Sequence, residues 1–301
     1  MHVLVSGASG LIGSALVAQL TADRHQVTRL VRRRAGEGSI SWNPLSPGLD
    51  LSGAGRLDAV VHLAGENVAQ RWTDAARARI RDSRVLGTRV LSAALASLQV
   101  KPPVLVSASA IGIYGDRGDE VLTEESPPGD LAREFLVSVC QKWEAAADAA
   151  RQAGIRVVHP RFGVVLSRAG GALQKMLPVF RLGLGGITGD GKQWMSWLSL
   201  DDAVGILLHA LRTDSLRGPV NATGPEPVTN AKFTRTLGLA LGRPTPLRVP
   251  APALRLGLGA MAEGTLLASA RVVPAQVLRS GYRFQQPELS AALRHALAVP
   301  E

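Results

Sequence analysis

The stretch VSGASGLIG, residues 5–13, constrains the fold more than any other part of the chain. Gly7, Gly10 and Gly13 recur every three residues, between an apolar run HVLVS (2–6) and an apolar-periodic segment from Leu11 to about Thr21. Strand, glycine turn and helix in that order form the context in which such a loop holds a dinucleotide. Gly7 permits the tight turn, Gly10 lets a pyrophosphate approach the backbone, and Gly13 lets the helix pack closely on the sheet. Backbone N–H groups at the helix start, around Ser9, Gly10, Leu11 and Ile12, favour the anion together with the helix dipole.

The rest of the first half repeats the alternation. QVTRLVR (26–32), LDAVVHLAG (57–65), PPVLVSASA (102–110) and IRVVHPRFGVVL (155–166) read as strands. Helical patterns run from about Thr73 to Leu98 and from about Leu131 to Ala153. Strands alternating with helices predict an α/β fold, a Rossmann-type doubly wound parallel sheet with right-handed crossovers. After Leu166 the texture becomes glycine-rich. A helix at 200–212, capped by Asp201 or Asp202, a strand at 219–223 and a helix at 229–242 starting from Thr229 follow. The expected organisation is a nucleotide-binding domain over 1–166, to which 200–225 returns, and a smaller C-terminal substrate lobe formed by 167–199 and 226–301.

Composition narrows the function classes. With 301 residues, 46% of them hydrophobic, the chain is long enough to bury a substantial core. It shows no apolar run near 18 residues and no signal-peptide pattern, which predicts a cytoplasmic protein without a membrane span. A single cysteine, Cys140, excludes an internal disulfide and a multi-cysteine metal cluster, and the six histidines show no HxH or HExxH spacing, so no metal site is expected. His62, inside a buried strand, reads as a satisfied core histidine. The net charge of +10 comes from arginines spread along the chain with only 4% aromatics, a poor pattern for a nucleic-acid partner.

One basic cluster has a specific position. The second strand ends LVRRR, with no carboxylate before Glu37. A site for NAD places Asp or Glu there to accept from the ribose hydroxyls, whereas Arg32 and Arg33 suit a 2′-phosphate. The expected cofactor is NADP(H).

With these pieces the chain resembles the extended short-chain dehydrogenase/reductase superfamily of NAD(P)-dependent epimerases and dehydratases. GASGLIG resembles its cofactor loop, DAVVHLAG its fourth strand, VSASAIGIYG its fifth strand and PRFGVVL its sixth. HLAGENVAQRW, GVVLSRAGGALQKMLPVFRLGLGG, WMSWLSLDDAV and RVVPAQVLRSGYRF resemble an atypical branch of epimerase-family proteins with a short C-terminal domain. The resemblance implies that Leu63, Ala64, Gly65, Arg84 and Ser107 join the loop in holding the cofactor; for Arg84 an exposed arginine is the alternative. It also implies that Ser109, at the end of the fifth strand, hydrogen-bonds a substrate oxygen; a hydroxyl tying down the strand end is the alternative.

The chain departs from the superfamily at the catalytic step, where a tyrosine and a lysine four residues later transfer the proton. The two tyrosines, Tyr114 and Tyr282, are followed at that spacing by Gly118 and Gln286. Aligning Glu144 with the usual acidic residue leaves Leu136 and Cys140 in the two places. Tyr114, in a YG turn just beyond Ser109, is the candidate substitute proton source or a packing residue. Lys142 is on the right helix but offset, and reads as solvated. Glu66, after the fourth strand, is a proton acceptor or a helix-starting acid. Trp194, Met195 and Trp197 wall a substrate pocket or pack in the core. Two readings follow: an NADP(H)-dependent epimerase or oxidoreductase, acting as a homodimer on a small sugar-like or carbonyl substrate, and a non-catalytic NADP(H)-binding sensor or scaffold.

Overall fold

A computed structural model describes residues 1–32 and 35–298. Its centre is a parallel sheet that includes β1 (His2–Ser6), β2 (Gln26–Val31), β3 (Ser39–Ser41), β4 (Ala59–His62) and β5 (Val104–Ser107). Strands Arg156–Phe162 and Gly218–Ala222 complete the path, in the spatial order 218–222, 156–162, β5, β4, β1, β2, β3. A short β6 (Ser109–Ala110) also pairs with 156–162. The strand order reverses at β1, flanked by β2 and β4, so a crevice opens beyond the carboxyl ends of β1 and β4.

Alternation along the strands sets the two faces. Val3, Val5, Val61 and Val106 pack one face against α1 (Leu11–Ala22) and α6 (Leu200–Arg212), whose Leu16, Leu20, Ile206 and Leu207 are fully buried. Leu4, Val60, Leu105 and Val157 pack the other against α2 (Asp74–Ser97) through Leu91 and Leu95. Thr73 caps α2, its hydroxyl accepting from the Ala76 amide.

Two expectations are corrected. The segment 131–153 holds two helices, α3 (Phe135–Ala145) and α4 (Asp148–Gln152). Asp130 turns the chain at 130–134 by accepting from Ala132, and at Ala147 the backbone leaves helical values. The break buries Ala147 and Ala150 completely, and the Ala150 amide donates to Ser92 of α2 at 2.8 Å. The cap of α6 is Ser199, whose hydroxyl accepts from the Asp202 amide, because strand Trp197–Ser199 runs directly into the helix. Asp202 is buried instead and holds the C-terminal segment, accepting from Tyr282 at 3.0 Å and from the amides of Gln285 and Gln286.

The second half builds a separate apolar cluster from α5 (Gly171–Arg181), α7 (Asn230–Leu241) and a helix at Leu289–Ala298, around Trp197, Phe233 and Leu293. A π-helical turn at Ala262–Leu267 lies against Trp72, which links this half to the loop after β4.

Candidate functional site

The glycine loop is a cradle fixed by backbone contact. Gly7 sits at φ +70°, and a methyl placed on it would lie 2.6 Å from the Leu63 carbonyl carbon. A methyl on Gly13 would lie 2.1 Å from the Gly7 oxygen. Only glycine lets the turn touch the loop after β4 and lets α1 touch the turn. Gly10 is the N-cap of α1, no side chain caps that end, and its first turn holds no acid, so the positive end of the helix stays free for an anion. Ser9 and Gly10 are exposed at the mouth, and Leu11 packs behind against Gly170. Arg32 is exposed at the end of β2. Arg33 lies outside the described residues.

The loop that meets Gly7 continues through Leu63, Ala64 and Gly65 to Glu66, and α2 holds it. The Glu66 amide donates to Ser83 Oγ at 3.0 Å, and Arg84 Nη1 donates to the Glu66 carbonyl at 2.9 Å and the Ile80 carbonyl at 3.1 Å. The Arg84 guanidinium lies 5.0 Å over the Trp143 ring and against Gly65, where a methyl would be 3.1 Å from its Cζ. Burial lowers the Arg84 pKa, and Cys140 and Glu66 pull against that shift. The guanidinium from α2 therefore lies within electrostatic reach of Cys140 on α3. Cys140 is a buried thiol whose pKa burial raises to about 12. The Glu66 carboxylate accepts from Gln70 at 3.3 Å and lies 3.9 Å from Arg79.

A polar row closes the carboxyl end of the sheet. Ser6, His62 and Ser107 are register partners across β1, β4 and β5, all fully buried. His62 Nδ1 contacts Ser6 Oγ at 2.5 Å, but His62 Nε2 and Ser107 Oγ have no partner, so the histidine is only half satisfied. Burial lowers the His62 pKa to about 4, leaving the ring neutral.

The strand-five residues form a closed network. Arg161 makes a two-pronged contact with Glu144, Nε to Oε1 at 2.8 Å and Nη2 to Oε2 at 2.9 Å. Burial pushes the Glu144 carboxyl up, but the hydrogen bonds and charge of Arg161 outweigh it and hold the group below its ordinary value. Ser109 donates its single O–H to Glu144 Oε1 at 2.6 Å. Tyr114 accepts from Arg161 Nη1 at 2.9 Å and donates to Asn221 Oδ1 at 2.7 Å. Its ring is fully buried, and burial raises its pKa against the pull of Arg161. Tyr114 is thus an internal strut with no face toward a substrate, and the Ser109 proton is committed. Arg161 and Asn221 were not legible as its partners, since they lie 47 and 107 residues away.

Leu136 packs on Gly112 and joins an apolar cluster of Trp72, Ile80, Met261, Val68, Phe135 and Leu258. Lys142 is exposed on α3. Trp197 is a core residue and not a pocket wall: it is fully buried and its Nε1 donates to the Glu226 carbonyl at 3.0 Å. Trp194 is partly exposed, donates to Asp119 at 2.7 Å and lies 4.2 Å under the Arg271 guanidinium, while Met195 Sδ accepts from Asn230. Among the described residues no group of His, Cys, Asp or Glu gathers as a metal site needs, and no helix is long and apolar enough to cross a membrane.

Comparison with known proteins gives consistent neighbours. Residues 3–222 match the NAD dependent epimerase/dehydratase family, and residues 249–296 match a domain of unknown function, DUF1731. Epimerase family protein Mb2239 of Mycobacterium bovis is 46% identical over 300 residues, 99% of this chain and 98% of its own. The crystal structure of human epimerase family protein SDR39U1 with NADPH superposes with a TM-score of 0.90 at 37% identity, covering 99% of this chain and 100% of that one. A nucleoside-diphosphate sugar epimerase from Corynebacterium glutamicum gives a TM-score of 0.80 at 39% identity, covering 99% of this chain and 58% of that one.

Proposed function

Because the chain belongs to the NAD dependent epimerase/dehydratase family, we propose that it is an NADP(H)-dependent oxidoreductase acting on a small molecule at the carboxyl ends of β1, β4 and β5. The observation that carries this reading is the glycine cradle, in which Gly7 and Gly13 leave no room for a side chain and the N-terminus of α1 is left uncapped. The human relative solved with NADPH has the same fold over the whole chain. A nicotinamide cofactor, when bound, supplies the hydride chemistry.

In this reading Gly7, Ser9, Gly10, Leu11, Ile12 and Gly13 hold the pyrophosphate through backbone N–H groups. Arg32, with Arg33, pairs with the 2′-phosphate. Leu63, Ala64 and Gly65 form the wall beyond β4, and Ser107 closes its floor. Arg84, carried by α2, supplies the fixed positive charge that a lysine on α3 supplies elsewhere in the superfamily, and Cys140 leaves it space. Epimerisation and carbonyl reduction both move a hydroxyl proton of the substrate, and Leu136 and Cys140 stand where that proton would be handled, so another donor or solvent carries it in this reading.

Thermal unfolding with and without nucleotide tests the proposal. NADPH at about a hundred times its Kd stabilises the fold by about 2.7 kcal/mol. Arg84→Met loses most of that gain while keeping the unliganded melting temperature within a few degrees. Absence of any shift with either NADPH or NADH would refute the cofactor reading.

A further inference from the structure

We propose that the second half of the chain docks on an anionic lipid surface through a face of exposed leucines and arginines, lying on the membrane without spanning it. The face is separate from the glycine cradle, and the inference does not depend on the reading of the cofactor site.

Twelve large apolar side chains stand exposed among the described residues, and six of them fall in two short segments, 179–184 and 239–256. Leu182, Leu239 and Leu256 are 75%, 83% and 84% exposed, and Val179, Leu184 and Leu247 are about half exposed. The fold brings the two segments together. α5 and α7 share one apolar cluster, through Leu177 and Phe180 on the first and Phe233 and Leu237 on the second. Strands Gly186–Thr188 and Leu247–Val249 pair in parallel, with Gly186 opposite Leu247. A methyl on Gly183 would lie 3.9 Å from the Pro244 ring, and the Arg243 amide donates to the Gly238 carbonyl at 2.9 Å, next to Leu239. The helix Ala251–Leu258, which carries Leu256, follows Pro250, and none of its residues is buried. Single exposed leucines need no explanation, but a gathering of them marks an interaction surface.

Charge selects the partner. Between Glu226 and Glu263 the sequence holds five cations, Lys232, Arg235, Arg243, Arg248 and Arg255, and no acid. Between Asp148 and Asp190, the stretch that contains Arg181, it holds no acid either. Glu263 pairs with Arg255. Arg181, Arg235, Arg243 and Arg248 are exposed and have no ion pair among the described residues. A second copy of the chain would set these cations against their own kind. A nucleic acid would meet the arginines and leave the leucines in water. Leucines more than three-quarters exposed stand clear of the surface, so a rigid protein partner would need a matching pocket for each. A fluid interface takes in protruding apolar side chains wherever they fall, and anionic headgroups meet the guanidinium groups around them.

The test sediments the intact protein with vesicles of phosphatidylcholine, alone or with a one-third share of phosphatidylglycerol. Binding is expected on the anionic vesicles only, falling as salt rises. The double variant Leu182→Gln, Leu239→Gln weakens it at least about ten-fold, because two inserted side chains return to water. The double variant Arg243→Gln, Arg248→Gln weakens it roughly twenty-fold, at about five-fold per cation. A control pair, Arg89→Gln with Lys101→Gln, removes the same charge from exposed positions in the first half and leaves binding within about two-fold of the parent. All six positions are exposed, so each variant keeps the parent's melting temperature within a few degrees. Absence of binding to the anionic vesicles overturns the inference, and so does binding that falls equally in the control pair, which would trace it to net charge alone. Binding that ignores the leucine variant and is competed away by duplex DNA would assign the face to a polyanion. A dimer that forms without lipid and is split by the leucine variant would assign it to a second copy. Either result overturns docking on lipid.

Discussion

Gly7→Ala tests the construction of the cradle, because its cost has two separable parts. At φ +70° an alanine takes a left-handed backbone, which costs about 1–2 kcal/mol. Its methyl would also lie 2.6 Å from the Leu63 carbonyl carbon and 2.7 Å from the Ala64 nitrogen. Those are backbone atoms that no rotamer change can clear, and forced overpacking adds about 1–3 kcal/mol. The sum, about 2–5 kcal/mol, corresponds to a melting temperature lower by roughly 4–10 °C in a chain of this size. Gly118→Ala is the matched comparison, since Gly118 has φ +54° and nothing within 4 Å of the added methyl. It carries the strain alone, roughly 2–4 °C. Scanning calorimetry of the two variants side by side reads the difference, and NADPH titration of Gly7→Ala reads whether the displaced 63–65 loop still supports the nucleotide. A Gly7→Ala loss no larger than that of Gly118→Ala refutes the claim that close backbone approach demands this glycine.

Other expectations concern the buried polar groups. Glu144→Gln leaves Arg161 buried without its counter-charge and costs about 3–5 kcal/mol by urea unfolding at neutral pH. Because the folded Glu144 pKa is lowered, its contribution is present above the unfolded carboxyl value and lost as pH falls through the folded one, so the parent-to-variant gap narrows in acid. Tyr114→Phe leaves Arg161 and Asn221 each short of a partner and lowers stability by about 1–3 kcal/mol, with NADPH affinity unchanged by calorimetric titration. His62 has its folded pKa lowered to about 4, so it favours the fold fully above its unfolded value of 6.5. That contribution drains away as pH falls from there toward 4, and His62→Asn flattens the stability profile over this window. A crystal structure is expected to show an ordered water on His62 Nε2 or Ser107 Oγ, both buried without partners; an empty space at both would contradict the hydrogen-bond accounting.

What the sequence disclosed follows the range of the physics involved. The glycine loop is local: three glycines between a strand pattern and a helix pattern fix the turn and the helix that follows, whereas the contact of Gly7 with Leu63 and Ala64 comes only with the fold. Thr73 and Thr229 as helix starts are equally local, each capping an amide three residues on. The break at Ala147 is not, because nothing in an alanine-rich run opposes a helix; it forms where Ser92 of α2 offers a partner to the Ala150 amide. The partners of Ser109 and Tyr114 were hidden for the same reason. Each hydroxyl is claimed by a residue far along the chain, Glu144 and Asn221, and only the fold brings them together. Trp194 and Trp197 look alike in sequence, and packing alone separates the half-exposed ring under Arg271 from the fully buried one.

Nucleotide binding at the cradle, with selection at the end of β2, underlies every role proposed for the site. The most direct measurement is a titration of the protein and of Arg32→Ala with NADPH and NADH, followed by tryptophan fluorescence. Charge-assisted hydrogen bonds to the 2′-phosphate contribute about 1.5–3 kcal/mol, so NADPH binds at least ten-fold more tightly than NADH, and Arg32→Ala removes that margin while NADH affinity stays as it was. Equal affinities in the parent protein, or binding of neither nucleotide, would contradict it.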